Sequence, residues 1–201
     1  THWLNADALR SAVVDRRPDL EVAVARTPAE SRRLIPDVEI LLSSFLDPAL
    51  LAEADSLRWI QALSAGVDTL AVDDDRLRER GIVLTSAAGA HAQPIAEQVL
   101  AYMLTFARRL DRAFEAERRG AWERYEGGEL ADETLGIVGV GSIGRRTAEI
   151  ASAVGMDVVG TKRDASEEID AVDRLHPPEA LEAVLVEDGY VVVACPLTEA
   201  T

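Results

Sequence analysis

Three glycines are spaced so that they could hold a phosphate-bearing ligand. Gly139, Gly141 and Gly144 form the pattern Gly-x-Gly-x-x-Gly, which follows an apolar run and opens a segment of helical character. In this pattern the first glycine permits a tight turn, the second lets the backbone approach a pyrophosphate, and the third lets the helix pack on the strand. The backbone N–H groups of Ser142 and Ile143 would point at the phosphates from the helix N-terminus. The pattern therefore predicts a dinucleotide site. A glycine-rich turn without a ligand and a methyltransferase-type nucleotide loop are the alternatives.

A basic pair follows the next predicted strand, at the place where dinucleotide sites distinguish their cofactors. The sequence there is Lys162-Arg163-Asp164, and Lys162 is the only lysine in the chain. An acid at this place usually accepts the ribose hydroxyls of NAD, whereas a nearby arginine accommodates the 2′-phosphate of NADP. Ammonium and guanidinium groups together suit a phosphate dianion, so the pair favours NADP. The alternative is NAD, with Asp164 as the ribose acceptor and the basic pair as ordinary surface.

Strands alternating with helices surround these residues and predict an α/β fold with parallel sheets. In the N-terminal part, short apolar runs predict four strands, over residues 20–25, 39–43, 59–63 and 82–85. A helix is predicted to begin at Thr27 with Pro28 at its first position, and another over residues 71–80 to end at Gly81.

The C-terminal part repeats this alternation after one long helix. The helix is predicted over residues 94–119, because apolar residues recur at helical spacing with no interior glycine or proline. Four strands are predicted beyond it, over residues 135–140, 157–161, 172–175 and 190–194. Helices are predicted between them, over residues 142–154 and 179–186.

The charge balance limits the partners and suggests an environment. The chain has 36 acidic and 21 basic residues, for a formal charge of -15. Such a field repels nucleic acid and anionic membranes. A strongly acidic chain with a single lysine is typical of salt-accumulating, halophilic cells, where a Debye length of about 3 Å at 1 M salt screens self-repulsion. An ordinary acidic protein from a GC-rich genome is the alternative.

Other features of the composition indicate a cytoplasmic protein. The single cysteine, Cys195, permits no internal disulfide and fits a reducing compartment. No apolar run reaches the roughly 18 to 20 residues that span a bilayer. The N-terminal residues lack the layout of a secretory signal. No metal site is predicted.

Four stretches of the sequence together resemble the D-2-hydroxyacid dehydrogenase family, which includes glyoxylate and hydroxypyruvate reductases. Residues 59–68 look like the family's loop that holds the substrate carboxylate, and residues 85–97 look like its crossover into the long helix. Residues 139–144 with 155–160 resemble the nucleotide loop and the second strand, and residues 193–201 resemble the segment beside the cofactor. The stretches occur in the family's order and cover nearly the whole chain. Ser86 stands where the family often has asparagine.

The resemblance implies two similar parallel-sheet domains and a set of binding residues. Residues 1–90 would form a flavodoxin-like substrate domain. Residues 91–201 would hold the interdomain helix and an incomplete Rossmann dinucleotide-binding domain. By position, three residues would bind the substrate carboxylate: Ala65, Gly66 and Val67. Three further residues would line the cofactor site: Cys195, Pro196 and Thr201. His91 is either a pocket residue or a residue that merely caps a helix.

The resemblance also implies an activity, with rivals that remain open. The expected reaction is reversible hydride transfer between NAD(P)H and a 2-oxoacid, giving a D-2-hydroxyacid, in a homodimer formed around the helix after Pro94. The family's catalytic arginine, glutamate and histidine would lie beyond Thr201, so the 201-residue chain is expected to be a C-terminally truncated form with almost no turnover and no catalytic residue of its own. A non-catalytic NAD(P)-sensing binding protein of the same fold is the alternative. A hydrolase with bound NAD is a third possibility, which the loop at Ala65 and Gly66 disfavours.

Overall fold

The chain folds into two compact units. The computed structural model describes residues 5–66, 70, 74–185 and 189–196, and the chain divides into Thr1–Ala87 and Ala88–Thr201. The boundary predicted between residues 90 and 91 lies near this division. A substrate role for one unit and a cofactor role for the other stay predictions.

The first unit is built on a three-stranded parallel sheet. Its strands are β1 (Ile40–Ser43), β2 (Trp59–Ala62) and β3 (Val83–Thr85), in the order β1-β2-β3. Its described residues include the helices α1 (Ala6–Arg16), α2 (Pro28–Leu34), α3 (Pro48–Ala52) and α4 (Asp74–Glu79). Leu46, Ile60 and Leu70 lie in its core, fully removed from solvent. Burial of these side chains holds the helices against the sheet.

The start of α2 has the predicted cap. The Thr27 hydroxyl accepts a hydrogen bond from the Glu30 N–H, and the Glu30 carboxylate accepts from the Thr27 N–H. Pro28 occupies the first helical position, where its missing N–H costs nothing. This reciprocal cap satisfies two backbone donors that a helix start leaves unpaired.

The strand predicted over residues 20–25 is wrong. Residues 21–26 carry no regular secondary structure, and no strand pairing of the described sheets includes them. Leu20, Val22 and Val24 are half-buried in alternation with exposed neighbours, which is the pattern that suggested a strand. The Val22 carbonyl accepts from the Arg10 guanidinium at 2.9 Å instead of from a neighbouring strand. Alternating burial thus reports which side chains face inward, whereas a strand also requires a paired backbone.

The second unit contains a four-stranded parallel sheet with the order of a doubly wound domain. Its strands are β4 (Thr134–Val138), β5 (Asp157–Thr161), β6 (Arg174–His176) and β7 (Gly189–Val193). The spatial order is β6-β5-β4-β7, which corresponds to the 3-2-1-4 portion of a Rossmann sheet. The interior strands β4 and β5 are buried almost throughout, as parallel strands covered on both faces are. The predicted α/β fold with parallel sheets is confirmed.

The helices of this unit flank the glycine-rich segment. They are α5 (Ala92–Ala107), α6 (Leu110–Arg118), α7 (Ser142–Ala153) and α8 (Glu182–Leu185). Helix α7 packs against α5 as well as on the sheet. The helix predicted over residues 179–186 begins instead as a 3-10 turn, Pro178–Ala180, because consecutive prolines at 177 and 178 remove backbone donors there.

The single long helix predicted over residues 94–119 is also wrong, because the chain breaks between α5 and α6. Arg109 adopts the left-handed conformation, with φ of 52°. The Gly128 N–H donates to the Ala107 carbonyl at 2.7 Å, and the Arg108 guanidinium donates to the Gly128 carbonyl at 3.1 Å. A distant glycine loop therefore ends α5 by tertiary hydrogen bonds, and no residue within the helical stretch signals this.

No helix in the described ranges is both long enough and apolar enough to traverse a lipid bilayer.

Candidate dinucleotide-binding site

The glycine-rich loop lies between the carboxyl end of β4 and the start of α7. Gly139 has a φ of 97°, which side chains other than glycine rarely adopt, and a Cβ there would lie 2.8 Å from the Cys195 nitrogen. A Cβ on Gly144 would overlap the carbonyl oxygen of Gly139. Internal packing therefore requires glycine at the first and third positions of the pattern.

Gly141 has no such internal reason to be glycine. Its φ is −87°, and a Cβ built on it meets no atom within 4 Å. The open space beside this residue lies at the N-terminus of a helix of 12 residues, α7. No side chain caps α7, so its first N–H groups, including those of Ser142 and Ile143, have no side-chain acceptor. The loop thus fits a pyrophosphate, which would approach the Gly141 backbone and accept from these amides.

Thr161 holds the loop in place, although its sequence context did not predict this role. This buried residue ends β5, and its hydroxyl oxygen accepts from the Gly139 N–H at 3.1 Å. Its carbonyl accepts from the Val140 N–H at 2.8 Å. Two hydrogen bonds that Thr161 accepts therefore fix the turn before the helix. A hydroxyl residue at the end of the second strand is the signal that would have found it.

The predicted residues after β7 lie beside the same loop. Strand β7 pairs with β4 on the side away from β5, so the direction of strand order reverses between β4 and β7. Ligands of open parallel sheets bind at the carboxyl ends of the strands at such a switch point. Cys195 follows β7, and its backbone is the near neighbour of Gly139. Pro196 comes next in the chain, and Thr201 lies outside the described residues.

The basic pair after β5 is only partly available. Lys162 forms an ion pair with Glu167, whose other carboxylate oxygen accepts from Arg145 at 2.6 Å. The hydrogen bond from Lys162 is the main cause that holds the pKa of the Glu167 carboxyl below its ordinary value, and the hydrogen bond from Arg145 adds to it. Arg163 is exposed. Neither Arg145 nor Glu167 was predicted, because both lie outside the residues that directly follow the strand.

Asp164, the alternative ribose acceptor, forms hydrogen bonds with a neighbouring residue. Its Oδ1 accepts from the Ser166 hydroxyl at 2.6 Å and from the Ser166 N–H at 3.1 Å. These two bonds lower the pKa of the Asp164 carboxyl. The carboxylate therefore stabilises a turn, with Oδ1 already used as an acceptor.

The loop predicted to hold a carboxylate follows β2 in the first unit. The Ser64 hydroxyl donates to the Gly66 carbonyl at 2.6 Å, and the Ser64 carbonyl accepts from the Ala87 N–H at 3.0 Å. Within the described ranges, no hydrogen bond uses the N–H of Ala65 or Gly66 as donor. Val67 lies outside the described residues. His91 precedes α5 at its N-cap position, and its side chain does not cap the helix.

The comparisons with known proteins agree with this architecture. Residues 100–201 match the family model described as D-isomer specific 2-hydroxyacid dehydrogenase, NAD binding domain. The chain is 30% identical over 165 residues to D-3-phosphoglycerate dehydrogenase of Methanocaldococcus jannaschii, covering 80% of this chain and 31% of that enzyme. It is 33% identical over 174 residues to glyoxylate reductase of Aeropyrum pernix, covering 80% of this chain and 50% of that enzyme.

A solved structure is similar over nearly the whole chain. It is a D-isomer specific 2-hydroxyacid dehydrogenase family protein from Aeromonas salmonicida, with a TM-score of 0.83 and 30% identity. The alignment covers 98% of this chain and 62% of that one. The chain thus spans half or less of the two enzymes named above and under two thirds of this structure. With the family model matching residues 100–201 and the parallel sheet of the second unit in Rossmann order, the chain belongs to the D-isomer specific 2-hydroxyacid dehydrogenase family.

Proposed function

We propose that the protein is an oxidoreductase that transfers a hydride between a nicotinamide dinucleotide and a 2-oxoacid to give a D-2-hydroxyacid. The observation that carries this proposal is the loop from Gly139 to Gly144, which leaves open space at Gly141 and uncapped amides at the start of α7. The names of the relatives, glyoxylate reductase and D-3-phosphoglycerate dehydrogenase, support a substrate of this class. When bound, the dinucleotide supplies the redox chemistry.

In the proposed reaction, the residues of this chain bind and orient the dinucleotide. The amides of Ser142 and Ile143 would donate hydrogen bonds to the pyrophosphate at the positive end of α7. Gly139 and Gly144 allow the turn, and Gly141 allows the close approach. The segment of Cys195, Pro196 and Thr201 would line the cofactor on the β7 side, through backbone groups in the case of Cys195.

The proposed cofactor is NADP in preference to NAD. Lys162 directly follows β5, and Arg163 is exposed beside it, so both cations lie where the 2′-phosphate is expected. The Oδ1 of Asp164 is already bonded to Ser166, which makes this residue a poorer ribose acceptor. NAD remains the competing cofactor, and the family model that matches is named for NAD binding.

The proposed substrate site is the loop after β2. The N–H groups of Ala65 and Gly66, together with Val67, would bind the substrate carboxylate, since backbone amides without an acceptor among the described residues suit an anion. This assignment predicts a small 2-oxoacid, whose carboxylate lies next to the carbonyl that is reduced.

A homodimer in the cytoplasm is the proposed state of the protein. Helices α5 and α6 expose three aromatic side chains, Tyr102, Phe106 and Phe114, by 59%, 70% and 55%. Aromatic residues are enriched at protein interfaces, and burial in a second copy would remove this apolar surface from water. Light scattering of the Phe106→Asp variant is expected to show monomers where the wild type shows dimers, and an unchanged mass would contradict the interface.

The proposed reaction is tested in protein purified from its source cells. Oxidation of NADPH, followed by absorbance, is expected to require a 2-oxoacid, and chiral analysis should find the D-hydroxyacid. Saturable NADPH binding without turnover on any 2-oxoacid would favour the non-catalytic sensor instead. An L product would overturn the assigned stereochemistry.

A further inference from the structure

A single carboxylate bridges two cations near the glycine-rich loop. Glu167 contacts Arg145 through Oε1 at 2.6 Å and Lys162 through Oε2. The three side chains are each between one quarter and two fifths exposed, so a ligand from solvent can reach them. The pKa of the Glu167 carboxyl is lowered by its hydrogen bonds to Lys162 and Arg145, which keeps it ionised at neutral pH.

The position of this cluster connects it to the cofactor. Arg145 lies in the first turn of α7, one residue after the last glycine of the loop, and Lys162 directly follows β5. In a Rossmann unit the end of the second strand is the place where the adenosine ribose is recognised. The two cations therefore lie between the proposed pyrophosphate site and the ribose end of the cofactor.

We propose that Glu167 is a specificity-determining residue, because its carboxylate occupies the two cations that a 2′-phosphate would use. The inference rests on the proposed dinucleotide function. A phosphate dianion bound to Lys162 must displace the Glu167 carboxylate or lie beside it, and either process costs free energy. The 2′-hydroxyl of NAD carries no charge and incurs no such cost. Glu167 thereby weakens the binding of NADP relative to NAD, so it reduces the preference for NADP that Lys162 and Arg163 provide.

Other acidic groups surround the cluster and define the control. Asp164 and Glu168 flank it in the chain, and both are exposed. Glu168 is next to Glu167 and makes no ion pair among the residues that the structure describes. The Glu168→Gln variant therefore removes the same charge from nearly the same place without freeing Lys162 or Arg145.

The test is calorimetric titration of wild type, Glu167→Gln and Glu168→Gln with NADPH and with NADH, at one ionic strength near 0.1 M. Glutamine keeps the size of glutamate and removes its charge. Glu167→Gln is expected to tighten NADPH binding by about tenfold, with NADH affinity changed by less than about twofold, since one unit of charge acts over a few ångström in a partly exposed site. Glu168→Gln is expected to change neither affinity by more than about twofold.

The outcomes separate this inference from the proposed function. A selectivity that shifts toward NADPH in Glu167→Gln alone supports it, even if the wild type prefers NADH. The inference would be overturned by an unchanged selectivity or by equal shifts in both variants. Weaker NADPH binding in Glu167→Gln would also overturn it, and would make Glu167 a residue that positions the two cations. Binding of neither cofactor by folded wild-type protein would overturn the proposed dinucleotide function and this inference with it.

Discussion

At the scale of single residues, the three glycines of the loop have two different roles. Gly139 and Gly144 are required by the protein's own packing, because a Cβ at either place would press on Cys195 or on the Gly139 carbonyl. Gly141 faces open space, so the proposed close approach of a pyrophosphate is the reason we give for its missing side chain. The sequence pattern alone assigns these roles by analogy, whereas the structure gives each glycine its own physical reason.

The two roles predict opposite consequences of adding one methyl group. Gly144→Ala is expected to lower the free energy of unfolding by about 1–3 kcal/mol, as overpacking does. Gly141→Ala should change it by less than about 0.5 kcal/mol, because nothing lies within 4 Å of the new Cβ. Denaturant unfolding measures both variants. Calorimetry should show that Gly141→Ala, though stable, loses at least about tenfold in NADPH affinity. Wild-type NADPH affinity in Gly141→Ala would contradict the assignment of the pyrophosphate site to this loop.

The residues around the loop show how far the sequence can predict a site. The glycines, Ser142 and the basic pair follow from local spacing. Glu167 and Arg145 do not, because their contact joins residues 22 positions apart and depends on how α7 lies beside the end of β5. Thr161 is similar, since its hydroxyl matters only after β4 and β5 pair.

At the scale of elements, the break between α5 and α6 shows what local patterns omit. Apolar spacing across residues 94–119 is helical throughout, yet Arg109 lies in the left-handed region. The cause is the hydrogen bonding of Gly128 to the end of α5, which is far away in sequence. The strand wrongly expected over residues 20–25 is a second example. Its side chains alternate in burial, but this alternation does not require a paired neighbouring strand. Strands with continuous burial, β4 and β5, were predictable because only a sheet interior buries both faces.

The left-handed residue gives a prediction for stability. Arg109→Gly is expected to raise the free energy of unfolding by about 1 kcal/mol, because glycine adopts a φ of 52° without the Cβ clash. Its exposed ion pair with Asp111, at 3.7 Å, contributes little. Glu115→Gly, inside α6, is the matched control and should lower stability by about 1 kcal/mol. Urea unfolding compares the two, and equal losses would mean that α5 and α6 form one continuous helix.

At the scale of the whole molecule, the formal charge of -15 predicts a dependence on salt. Self-repulsion among acidic side chains opposes the compact state in dilute buffer and is screened as salt is added. We propose that the protein is adapted to molar salt, and we expect its thermal midpoint to rise from 0.05 to about 1 M KCl. The rise should level off there, because the Debye length is already about 3 Å. A midpoint that is independent of KCl would favour an ordinary acidic protein.

The same field bears on how the cofactor is bound. An anionic dinucleotide approaches a molecule of like sign, so local cations must offset the repulsion. Arg163 is exposed near the loop and can supply positive charge, and so can Lys162 and Arg145, whose charge Glu167 partly offsets. The proposed preference for NADP over NAD would therefore depend on these residues and not on the overall charge.

The most direct test is calorimetric titration of the 201-residue chain with NADPH and with NADH in 1 M KCl, where self-repulsion among the acidic side chains is screened. We predict saturable binding of both cofactors, tighter for NADPH, and we expect the preference to be lost in Lys162→Ala. Tighter binding of NADH would retain the dinucleotide site and move ribose recognition to Asp164. Binding of neither, by a chain that circular dichroism shows to be folded, would contradict the assignment of the Gly139–Gly144 loop as a dinucleotide site.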